Sequence, residues 1–326
     1  MAELTMVEAI NRAMREEMDR DGDVCVLGED VGVDGGIFRV TDGLLARFGE
    51  QRVIDTPLAE SGIVGFSIGM AIAGLRPIAE MQFSGFSYMA FHQLENHAAR
   101  LRWRSRGRFA VPMVVRMPYG GGVRALEHHS ESREVTYAHT PGLKFVVPSG
   151  PRNARALMLA AIRDPDPVVF FEPKLNYRTL REEVPDEPEI LPLGRARTVR
   201  SGDDLTLICY GSMLRRCLKA ADELEKHDGV ASDVIDLLSL SPLDHDACCA
   251  SARRTGRVVV VHEAPRSFGP AGEVIARLVE NVFLYLEAPV ARVTGFDVHT
   301  PYFAREQLHL PSVERILRSC RETLAY

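Results

Sequence analysis

The strongest constraint on the fold is an alternation in the C-terminal third of the chain. Continuous apolar runs at Leu205 to Tyr210, Ser232 to Leu238, Val258 to Val261 and Val290 to Val293 predict strands. Leu214 to Leu224, Asp244 to Arg253, Glu273 to Val282 and Val313 to Leu324 carry helical patterns between and after them. Strands that are apolar on both faces and separated by helices belong in a parallel sheet covered on both sides. The first half repeats this grammar less regularly, with strands predicted at Val24 to Gly28, Arg52 to Ile54, Arg76 to Ile78, Met113 to Arg116, Lys144 to Val147 and Pro167 to Phe171. Proline and acidic residues without periodicity crowd Arg178 to Arg195, which is a linker signature. A chain of 326 residues exceeds what one core usually organises. The expectation is an α/β protein of two doubly wound domains, 1–185 and 200–326, joined by a linker over 186–199.

Composition narrows the function classes. Hydrophobic residues make up 46% and charged residues 26%, with a net charge of −6. That is ordinary for a globular enzyme and gives no reason to expect nucleic acid as a partner. The apolar stretch Ile63 to Leu75 is interrupted by Ser67 and glycines and is shorter than the roughly 20 apolar residues a membrane span needs. It reads as a buried helix. No secretory pattern opens the sequence, and the six cysteines form no CxxC pair. Scattered thiols in apolar surroundings fit a reducing compartment, the cytoplasm or a mitochondrial matrix.

Several common chemistries lack their motifs. There is no phosphate loop, no GxGxxG turn and no HExxH. Gly65-Phe66-Ser67-Ile68-Gly69 fits GxSxG, but Ser67 falls inside a helical run rather than on a strand-to-helix elbow. Four segments remain. Asp55 to Gly62 places Glu60 at a strand-to-helix junction, where doubly wound sheets build ligand crevices; on spacing alone, a carboxylate that only favours the helix N-terminus through its dipole is the simpler reading. Glu127-His128-His129-Ser130-Glu131-Ser132 follows a glycine run and sets histidines where they can move protons or face a carboxylate, or simply cap a solvated loop. Gly28-Glu29-Asp30-Val31 puts acidic residues at a strand's carboxyl end. Arg163 to Pro167 is explained by turn chemistry.

Taken together, these residues resemble the beta subunits of 2-oxoacid dehydrogenase complexes. Thr5 to Ile10, Gly28 to Val31, Asp55 to Ile63, His129-Ser130, Pro141 to Lys144, Phe171 to Lys174 and His262 to Ala264 match in order over nearly the whole chain. The resemblance implies a transketolase-like pyrimidine-binding domain followed by a transketolase C-terminal-like domain. It implies thiamine diphosphate shared with an alpha subunit that holds the magnesium, in an alpha2-beta2 heterotetramer. A lipoyl-bearing acyltransferase core would take the acyl group. No GDG, the alpha chain's diphosphate and magnesium signature, is found.

The resemblance also assigns roles. Glu60 matches the carboxyl that bonds the cofactor's pyrimidine ring and drives its imino tautomer. His129 matches the histidine that faces substrate or the lipoyl group. Phe86 matches an aromatic residue packed on the pyrimidine, and Glu29 an acidic residue near the cofactor, suspected of relaying protons. Met113, Ala161, Ile162, Asp164 and Asp166 match a potassium site built largely from carbonyls. His92 and Gly85 stand where relatives often carry acidic residues, and Glu131 replaces Gln or Asp after His129-Ser130. Phe171-Glu172-Pro173-Lys174 with Tyr177-Arg178 looks closer to branched-chain members, so oxidative decarboxylation of a branched-chain 2-oxo acid is the first expectation and of pyruvate the second. A non-catalytic structural subunit and a nicotinamide or flavin oxidoreductase are the rivals.

Overall fold

The computed structural model describes residues 1–326. They form two compact units, one of 1–119 and 136–193 and the other of 120–135 and 194–326. In the first unit, strands β1 (Ala2–Thr5) and β8 (Arg181–Val184) pair antiparallel. The main sheet comprises β2 (Val24–Gly28), β3 (Val53–Asp55), β4 (Arg76–Glu80), β5 (Val114–Tyr119), β6 (Lys144–Val146) and β7 (Val168–Pro173). Along the sheet these run β6-β7-β5-β4-β2-β3, every pair parallel. Strands β2, β5 and β7 are buried along their whole length, as their largely apolar runs require.

The helix Met6–Arg20 starts with a reciprocal capping box, Thr5 accepting from the Glu8 amide while the Glu8 carboxylate accepts from the Thr5 amide. It packs on the helix Pro151–Arg163 through a mostly apolar face that includes Ala9, Ile10, Ala13 and Met14, with the buried Glu17 paired to Arg163 at 2.5 Å. Arg155 and Glu16 close the edge of that contact at 2.9 Å.

In the second unit, β9 (Arg197–Arg200) is an antiparallel edge on β11 (Ser232–Asp236). Strand β10 (Leu205–Cys209) lies between β11 and β13 (Val258–Val261), and β14 (Ala291–Val293) completes the sheet in the order β14-β13-β10-β11-β9; β12 (Ser239–Ser241) stands apart from it. On one face Leu205, Leu207, Cys209, Val234, Val259 and Val261 pack beneath helices Met213–Asp228 and Val313–Leu324. On the other, Thr206 shares buried hydroxyl bonds of 2.7 Å with Ser251 and Thr255 of the helix His245–Thr255.

Two differences from the sequence reading stand out. The end of the 186–199 linker is ordered as part of the strand Arg197–Arg200, and Arg181–Val184, within the proline- and acid-rich segment, is a strand as well. Both are short edge strands whose charged, mostly exposed side chains give no apolar pattern to detect. The segment 120–135, placed by sequence in the first domain, packs within the second unit. All six cysteines are free and buried, and no helix is long and apolar enough to cross a membrane.

Candidate active site

Parallel pairing with an even register sets the geometry in the first unit. Gly28 is level with both Asp55 and Glu80, so β2, β3 and β4 end side by side. The residues that follow them, Glu29, the 56–60 turn and Ser84 to Ser87, therefore leave the sheet at one edge, where doubly wound folds bind ligands.

The Glu29 loop is fixed from below. Asp55 accepts from the amides of Gly32 at 2.6 Å and Val33 at 3.2 Å, and the Thr41 hydroxyl donates to the Val31 carbonyl at 2.7 Å. Asp30 adopts a left-handed conformation, φ 57°, and accepts from Gln82 at 3.0 Å. Glu29 is buried; burial, and then the nearby charges of Glu60 and Asp30, push its carboxyl above the usual range.

Glu60 is the first residue of the helix Glu60–Ile72 and is half-buried. Its carboxylate makes no hydrogen bond within the unit, whereas its neighbour Ser61 accepts from Gln93 at 3.2 Å. Phe86 sits in a single 3-10 turn, Ser84–Ser87, its ring 5.4 Å from that of Phe83 at 73°. The unit thus brings Glu29 and Glu60 within electrostatic reach at the sheet edge. Ser67, inside the same helix, spends its hydroxyl on the Ile63 carbonyl at 2.8 Å, so the GxSxG match carries no nucleophile.

His129 belongs to the second unit. It ends a short 3-10 turn, Glu127–His129, and is half-buried, its ring edge-to-face with His128 at 6.3 Å. Ser130 is buried and accepts from the Thr300 hydroxyl through its carbonyl at 3.4 Å.

The carbonyl set expected to hold potassium is intact but already used. Met113 accepts from the Val168 amide at 3.0 Å, Ala161 from the Asp164 amide at 3.3 Å and Ile162 from Arg76 at 2.9 Å. Each keeps a second lone pair, which is the donor chemistry a monovalent cation uses. The Asp164 carboxylate is held by Lys144 at 2.7 Å and that of Asp166 by Arg102 at 2.5 Å, so cationic side chains compete for the same loop.

Sequence reasoning missed a buried network. Arg116 on β5 forms a bidentate pair with Glu172 on β7, both bonds 2.6 Å, and also bonds Glu80 on β4. Tyr177 donates to Glu172 at 2.6 Å. Burial pushes Glu80 up to about 6 against the pull of Arg116, with Glu172 adding to the rise. The signal was a polar residue inside each of three apolar strands, and only the strand order shows that they meet.

Residues 2–179 match the family described as transketolase, pyrimidine binding domain, and residues 194–316 that described as transketolase, C-terminal domain. A pyruvate dehydrogenase E1 component subunit beta from Acholeplasma laidlawii is 50% identical over 99% of this chain and 98% of its own. The chain belongs to the family of 2-oxoacid dehydrogenase beta subunits. Further members of the family, named in the same way, come from Staphylococcus epidermidis and Bacillus subtilis; they are 48% and 47% identical over all of both chains. A solved structure, a split-gene transketolase described as an inactive beta4 tetramer, superposes with a TM-score of 0.82 at 23% identity over 99% of each chain. That likeness establishes the transketolase-like two-domain fold.

Proposed function

We propose that this chain is the beta subunit of a thiamine-diphosphate-dependent pyruvate dehydrogenase E1 and works with an alpha subunit in an alpha2-beta2 assembly. The observation that carries the reading is the Glu29–Glu60 carboxyl pair at the common end of three parallel strands, in a chain about half identical to proteins named for pyruvate.

The residues present fit an aminopyrimidine. Glu60 offers a carboxyl free of other hydrogen bonds, and Phe86 offers a half-buried ring. When bound, thiamine diphosphate would supply the nucleophilic carbon and the electron sink that decarboxylation of a 2-oxo acid needs. Glu60 holds a proton against a pyrimidine ring nitrogen and exchanges it there. Glu29, whose charge is disfavoured by burial and by Glu60, is the neighbouring proton store. His129 gives a hydrogen bond or proton to the acyl acceptor, the lipoyl group of a separate core protein. A potassium ion on Met113, Ala161, Ile162, Asp164 and Asp166 would brace the 161–166 loop and take no part in the chemistry.

The partner reading is supported by what the Glu60 helix leaves uncovered. Gly62, Phe66, Gly69 and Ile72 are exposed along it, and a Cβ built at Gly69 meets nothing within 4 Å. The first unit itself has no use for that apolar face, which suits a close-packed alpha chain. Phe283, Leu284 and Tyr285 give the second unit its own exposed apolar surface for assembly or core docking.

The branched-chain expectation rested on Phe171 to Lys174 with Tyr177 and Arg178. Phe171, Glu172, Lys174 and Tyr177 are buried, and Glu172 and Tyr177 belong to the Arg116 network. Arg178 binds the Phe38 carbonyl at 3.0 Å. These residues serve the core, so their identity says little about substrate. Turnover of pyruvate and of the branched-chain 2-oxo acids by the alpha–beta complex tests the choice. Pyruvate is expected to have a kcat/KM at least about tenfold higher, the order of discrimination a pocket gets from one or two methylenes. A preference for a branched-chain acid would overturn it.

A further inference from the structure

The glycine run Gly120-Gly121-Gly122 looks in sequence like a cradle for an anion, and in the structure the anions are the chain's own. All of the residues involved belong to the second unit. Glu306 is fully buried, and its two oxygens accept from the amides of Gly122 and Arg124, each at 2.9 Å. Both donors lie on left-handed backbone, φ 96° at Gly122 and 58° at Arg124, the kind of turn that makes successive amides converge on one anion. Glu263, also buried, accepts from the Gly121 amide at 3.0 Å and from the Ser212 hydroxyl at 2.8 Å. A Cβ at Gly120 would lie 2.7 Å from a Glu263 oxygen, so that glycine is required by the carboxylate's approach.

The far end of the segment is fastened too. The Gly120 amide donates to the Glu131 carbonyl at 3.1 Å and closes the loop on itself. Thr300 holds Ser130, and Tyr210 donates to the fully buried Glu134 at 3.3 Å. Burial pushes Glu134 up to about 8, with the charge of Glu263 adding to the rise. His129 lies inside this closed loop.

We propose that Glu306 and Glu263 are positioning residues for His129: they fill the glycine nest and fix the loop that presents the imidazole. Charge-assisted bonds to backbone amides away from water are strong enough to set a loop's conformation. The proposal rests on the reading of His129 as a functional group, and its test separates the two.

The test is a double-mutant cycle in the assembled alpha–beta complex, with thiamine diphosphate, magnesium and a lipoylated domain as acceptor. His129→Ala is expected to lower turnover by about 10²-fold or more, as for a positioned acid–base group. Glu306→Ala is expected to lower kcat by roughly 10–100-fold, the scale of a misplacement near 1 Å. In the His129→Ala background, Glu306→Ala should add less than about twofold, because the group it positions is gone. Full multiplication of the two losses would overturn the positioning role while leaving His129 in place. A His129→Ala complex with unchanged turnover would remove the reading of His129, and the positioning claim with it. Should Glu306→Ala fail to assemble, Glu306→Gln carries the same cycle: it keeps the size and one acceptor oxygen but turns an amide toward a backbone N–H.

Discussion

Replacing Glu60 by glutamine in the assembled complex is expected to lower pyruvate turnover by about 10²–10⁴-fold, the usual cost of removing a positioned acid–base group. Glutamine keeps the length and can still hydrogen-bond a ring nitrogen, but it cannot give up and recover a proton. The loss should therefore fall mainly on kcat. It should not fall on folding, because the half-buried Glu60 side chain makes no hydrogen bond in its own unit. Steady-state kinetics with a melting curve for the same preparation separates these effects. A Glu60→Gln complex within threefold of the parent would mean that Glu60 serves only the helix terminus.

The largest expected effect on stability comes from Arg116→Ala. Arg116, Glu80 and Glu172 are all buried, and the guanidinium is what makes two carboxylates tolerable across three neighbouring strands. Removing one partner of a buried ion pair typically costs about 3–5 kcal/mol, because the other is left charged and unpaired. The apparent melting temperature should fall by roughly 10 °C or more. The pH dependence has a definite sign. Glu80 already lies above its unfolded value, at about 6, so its share of stability is full below the unfolded value near 4.5 and is lost as pH rises through 6. Without Arg116 that folded value rises further. The deficit of Arg116→Ala should then be largest at pH 7 to 8 and shrink toward pH 5. Melting curves across that range check it, and a deficit independent of pH would show that lost packing of the Arg116 side chain is the cause instead.

The sequence made the architecture legible because parallel strands buried on both faces are largely apolar runs. Val24–Gly28 and Val258–Val261 have the predicted limits, and so does the helix Val313–Leu324. Short charged edges such as β8 and β9 left no such trace. Among the site residues, Glu60 stood out because the end of a strand and the start of a helix are local signals. The partners of the glycine run did not, since Glu306 meets Gly122 across 184 positions. The same distance hid the reason for Glu172, which looked like a mark of substrate and is a member of a buried ion network.

The most direct test of the central claim is to purify this chain and its alpha partner separately and follow pyruvate decarboxylation as one is titrated into the other, with thiamine diphosphate and magnesium present. The account predicts no turnover by this chain alone and activity that rises to saturation at one alpha per beta. Pyruvate decarboxylation by this chain alone, or a complex that forms at that ratio and stays inactive, would contradict it.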